Sequence, residues 1–169
     1  FAGLQLTQSM NAALDQAHVE GRFNTIAFSD IMKAVLDPEV NQETLKYISN
    51  NLQARQHMNK ALRALSASHN PAQAAASSGL LTSREAEDFS MKLTFSSRGD
   101  GAAYLEITMN KDFNINVDSN TQHLYCLCNE GVYVKKLTDF ASQNTVLLLD
   151  TNDKIIRAFQ DHKAEFFIR

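Results

Sequence analysis

The feature that most constrains this chain is a change of hydrophobic period at Phe89. From there Phe89, Met91, Leu93 and Phe95 alternate with Ser90, Lys92, Thr94 and Ser96, and a second alternating run follows Ser97-Arg98-Gly99-Asp100-Gly101. A two-residue period marks a half-buried strand, so this stretch predicts a β-hairpin with one face in a core. Upstream, apolar residues recur at helical spacing instead. Leu6, Met10, Ala13, Leu14 and Ala17 outline one helix, and Phe28, Ile31, Met32 and Val35 a second that must stop before Asp37-Pro38. Asp37 is placed to cap a third helix with Pro38 in its first turn. Leu45, Ile48 and Leu52 share one face, Asn50-Asn51 is a break, and Leu52, Met58, Ala61, Leu62 and Leu65 continue the longest helical pattern.

The organisation that follows is α+β. A small helical bundle over residues 1–66 and a linker over 67–88 with short helices precede a largely antiparallel, meander-like curled sheet of about seven strands over 89–169. The linker is rich in Ser, Ala and Asn-Pro; Ala72–Ala76 reads as a short helix capped by Asn70, and Thr82-Ser83-Arg84-Glu85 as a capping box. The strands are expected at 89–96, 102–109, 113–117, 123–128, 132–137, 145–149 and 154–159, with 164–168 as an eighth. Polar turns such as Asn129-Glu130-Gly131 and Thr151-Asn152-Asp153 make successive strands antiparallel neighbours. At 169 residues the two segments are expected to pack as one unit.

Charge narrows the partners. The formal net charge is -3, and residues 1–85 carry seven basic and seven acidic residues, so neither half is basic. A large phosphate-binding face is disfavoured, which places nucleic-acid binding, suggested only by Tyr133, Lys135 and Lys136, behind other readings. No apolar run reaches the length of a membrane span. The two cysteines, Cys126 and Cys128, share one face of a strand with His123 on the other, a pattern of small buried residues rather than metal ligands. With no disulfide framework the expected compartment is the cytoplasm. Arg98-Gly99-Asp100 is read as turn chemistry, and Asp150–Asp153 as a polar turn rather than a calcium loop. No phosphate loop, HExxH or GxSxG motif occurs, and no cofactor is expected.

One pattern carries a named chemistry. Gly131-Val132-Tyr133-Val134-Lys135-Lys136-Leu137 followed by Val146–Leu149, with Ser90-Met91 upstream, resembles the self-cleaving serine/lysine repressors, the LexA and phage repressor family. The resemblance implies an autopeptidase, or a degenerate relative of one, with Ser90 as nucleophile and Lys135 as its general base. Ser90 falls inside a cleanly alternating strand and no glycine precedes it. The leading expectation is therefore a non-catalytic protein-protein interaction module, an adaptor, regulator or assembly factor. Its site would be an apolar stripe of Leu45, Ile48, Leu52 and Met58 left uncovered for a protein partner or a second copy.

Overall fold

The computed structural model describes residues 26–74, 79–110, 122–138 and 143–169. The helix expected over Leu6–Ala17 and the strand expected over Phe113–Val117 lie outside them. Among the described residues, helices α1 (Phe28–Leu36), α2 (Gln42–Asn50) and α3 (Leu52–Leu65) come first. Strands β1 (Ser68–Asn70), β2 (Ser83–Arg84), β3 (Phe89–Phe95), β4 (Ala102–Met109), β5 (Gln122–Cys128), β6 (Gly131–Leu137) and β7 (Asn144–Asp150) follow. Helix α4 (Lys154–Gln160) and strand β8 (Glu165–Ile168) end the chain.

The strands form two antiparallel four-stranded sheets rather than one meander. Sheet A has the order β1-β8-β5-β6 and sheet B the order β2-β3-β4-β7. The local hairpins β3-β4 and β5-β6 follow the sequence, while β4 pairs with β7 and β5 with β8, so the chain changes sheet between β4 and β5. Between the sheets lies one core, with Phe89, Met91, Leu93, Leu105 and Ile107 from sheet B meeting Leu124, Cys126, Phe166 and Ile168 from sheet A. Phe89, Met91 and Leu93 share the expected buried face with Leu105 and Ile107, Met91 lying opposite Ile107 and Leu93 opposite Leu105, whereas Phe95, expected on the same face, is 45% exposed at the strand end.

The other face of sheet A carries the helices. Ile31, Val35, Leu45, Ile48, Met58 and Leu62 pack on Tyr125, Leu127, Val132 and Phe167, giving three layers: helices, sheet A, sheet B. Sheet A is thus buried on both sides, and Leu124 through Leu127 are four consecutive buried residues. The two layers are pinned by specific bonds. Ser49 Oγ donates to the Val132 carbonyl at 3.1 Å and accepts from its amide at 3.0 Å. Gly131 (φ +156°) makes that approach possible, because a Cβ there would meet the Ser49 side chain at 3.2 Å.

Three expectations are corrected. Residues 154–159 are helical, not a strand: Asp153 Oδ1 accepts from the Ile155 amide at 3.0 Å, and Ile155, Ile156, Ala158 and Phe159 face the core at helical spacing. The third helix begins at Gln42 rather than beside Pro38, since residues 38–40 form a turn in which the Val40 amide bonds to Asp37 Oδ1. The linker is part of the fold. Ser68–Asn70 pairs with β8, and Ser83–Arg84 pairs with β3 instead of opening a helix; residues 71–74 are non-helical.

Arg84 explains why so short a strand holds. Its side chain is fully buried, donating from Nη1 to the Phe159 and Asp161 carbonyls at 3.0 Å each and from Nη2 to the Ala164 carbonyl. The guanidinium lies 5.0 Å from the Phe166 ring centroid, and burial pushes its pKa down. One side chain therefore satisfies the carbonyls where the chain leaves α4 and enters β8.

Candidate binding groove

Helix α3 runs over the end of sheet A, and its residues Leu52, Arg55, Gln56, Asn59 and Lys60 recur at helical spacing along one face. The facing wall is Leu127, Cys128 and Asn129 at the end of β5, with Lys163 and Glu165 at the start of β8. Between them is a groove of about 370 Å³. Asn51 starts the helix by accepting from the Ala54 amide at 2.9 Å, which places Leu52 in the first turn at the mouth of the groove, 63% exposed.

Cations line this groove, and Glu165, the acidic residue among its described lining residues, is already paired. Glu165 accepts from Asn59 Nδ2 at 3.1 Å and Arg63 Nη2 at 2.8 Å, and lies 2.7 Å from His69 Nε2. Burial pushes its pKa up, but the bonds from His69 and Asn59 and the charge of Arg63 outweigh this and hold it below the usual carboxylate range. His69 is itself stacked on Phe167, centroids 4.4 Å apart. Arg55 donates to the Ser49 and Asn129 carbonyls, so it is positioned without giving up its charge. Arg55, Lys60 and Lys163 form no ion pair among the described residues.

The residues singled out from sequence fall in different places. Leu45, Ile48 and Met58 are buried against sheet A, so the stripe expected to be open is closed by Tyr125, Leu127, Val132 and Phe167; Leu52 alone of the four is exposed. Ser90 sits opposite Thr108 on the outer face of sheet B, alternating with the buried Phe89 and Met91. Lys135 is on β6 of sheet A, with Nζ on Asp153 Oδ2, beside a cleft of about 480 Å³ between α2 and β6. The nucleophile and base implied by the repressor resemblance therefore stand on different sheets, and the lysine has a carboxylate partner.

Cys126 is buried and Cys128 half-buried. The neighbouring Cys126 thiol lowers the Cys128 pKa most, helped by the Glu130 and Gly131 backbone, to about 6, while burial pushes Cys126 well up. Among the described residues no three His, Cys, Asp or Glu side chains converge as metal ligands, and no helix is long and apolar enough to cross a membrane. Sequence reasoning missed Asn59, His69 and Glu165, because Glu165 lies 106 positions from Asn59 and 96 from His69 in the chain. Compared with protein-family models, curated proteins and solved structures, the chain finds no match.

Proposed function

We propose that this protein is a non-catalytic binding module that docks a protein segment in the groove beneath α3. The segment would present one apolar side chain flanked by carboxylates. The carrying observation is the pairing of an exposed leucine, Leu52, with a rim of Arg55, Lys60 and Lys163, while Glu165, the acidic residue among the described lining residues, is already matched. An apolar anchor against Leu52 and Leu127 supplies about 1.5–3 kcal/mol, and each rim ion pair adds roughly 0.2–1 kcal/mol. Sums of that size suit a transient interaction rather than a permanent one.

Selection of a displayed random-peptide library against the full chain tests the reading. The expected outcome is enrichment of sequences with an apolar residue between Asp or Glu, whose binding is lost in Leu52→Glu and Lys60→Glu. No enrichment, or enriched peptides that bind both variants normally, would overturn it.

A further inference from the structure

Sheet edges are where strands of other molecules add, and this fold guards its edges unequally. In sheet A, β1 is three residues long, and β6 carries Lys135 and Lys136 and is held by α2 through Ser49. In sheet B, β2 has two residues. The remaining edge among the described residues, β7, runs for seven residues, Asn-Thr-Val-Leu-Leu-Leu-Asp, with no lysine, proline or glycine. Its outer face shows Val146 (56% exposed) and Leu148 (69%), and Tyr104 on β4 lies directly opposite Leu148.

We propose that β7 is the contact by which two copies of this chain associate, joining the two B sheets antiparallel edge to edge about Leu147. The ladder geometry supports it. The Met109 amide donates to the Gln143 carbonyl and the Thr151 amide to the Gly101 carbonyl, which makes every second residue from 143 to 151 a bonded partner of β4. The backbone N–H and C=O groups of Val146 and Leu148 consequently point away from β4, along the outer edge. A two-fold axis through Leu147 sets Val146 opposite the partner's Leu148 in a bonded pair, and Leu148 opposite the partner's Val146. Asp150 then falls opposite Asn144 rather than another carboxylate. About that axis Val146 and Leu148 of the two copies cover one another and Asp150 meets a neutral residue, so the edge accepts a second copy of itself with no like charges opposite, as an isologous interface requires.

Sedimentation equilibrium of the full chain, with hydrogen exchange at the Val146 and Leu148 amides, tests this. Expected is a mass rising with concentration from 18.9 kDa towards twice that value, together with protection of both amides that is lost on dilution. Leu148→Lys, at an exposed position, should weaken association by about tenfold or more. Thr94→Lys, on the same sheet face but two strands inward, should leave it unchanged, and circular dichroism checks that both variants fold. A chain that stays monomeric overturns the proposal in either form, with the two amides exchanging freely or with them protected at every concentration by the chain itself. A dimer that survives Leu148→Lys overturns it as well.

Discussion

The Tyr125 hydroxyl donates to the Val35 carbonyl at 2.7 Å, joining the middle of sheet A to the last turn of α1. That carbonyl is also approached by Arg169 Nη1 at 3.3 Å, so the end of α1, the centre of β5 and the last residue of the chain meet at one acceptor. Tyr125→Phe keeps the buried ring and removes the donor. It should cost about 1 kcal/mol in urea unfolding and speed amide exchange at the end of α1 more than in sheet B.

Arg84 should be among the most sensitive positions in the chain. Arg84→Met retains much of the packing but leaves the Phe159, Asp161 and Ala164 carbonyls without their donor. A loss of about 3 kcal/mol or more is expected, since hydrogen bonds to a charged group contribute roughly 1.5–3 kcal/mol each. Thermal unfolding of the variant beside Glu85→Gln, an exposed neighbour, checks this, and a near-neutral Arg84→Met would contradict the carbonyl-clamp account.

Acid should destabilise the fold in two stages. Burial lowers the His123 pKa from 6.5, so the folded state resists taking a proton there; this contribution is present above pH 6.5 and lost as pH falls below it. Glu165 has its pKa lowered from 4.5, so its contribution is present above that value and lost as pH falls through the folded pKa. In a pH series of unfolding free energies, His123→Phe should remove the upper step and Glu165→Gln the lower one.

The two cysteines should differ in reactivity. Iodoacetamide should label Cys128 at a rate that rises through about pH 6, while Cys126 reacts only when the protein unfolds. Peptide mapping by mass spectrometry distinguishes them, and equal labelling at pH 7 would contradict the buried placement of Cys126.

What could be read from the sequence was local. The alternation from Phe89 gave the correct strand and, as far as Leu93, the correct buried face, because one face is buried and the other wet, while Phe95 at the strand end is exposed; Asn50-Asn51 marked a true helix boundary because Asn51 caps α3. Lys154–Phe159 misled because Ile155-Ile156 has strand propensity while the Asp153 cap and the 155, 156, 158, 159 spacing favour a helix. The two-sheet arrangement depends on β7 returning to β4 and β8 to β5, pairings between distant segments that no local pattern encodes. One missed signal was present: Leu124-Tyr125-Cys126-Leu127 does not alternate, which marks a strand covered on both faces, and its second cover is the helical stripe of Leu45, Ile48 and Met58. The groove was only half legible, since Leu52 stands out on α3 but Glu165 reaches Asn59 from 106 positions away.

The groove itself is tested most directly by amide chemical-shift mapping of the full chain, titrated with a synthetic peptide of Leu flanked by Glu on both sides. The account predicts saturable shifts concentrated at Leu52, Arg55, Lys60, Asn129 and Lys163, weakened by added salt and abolished in Leu52→Glu. Shifts that instead cluster on sheet B or beside Lys135, or that persist undiminished in Leu52→Glu, would contradict it.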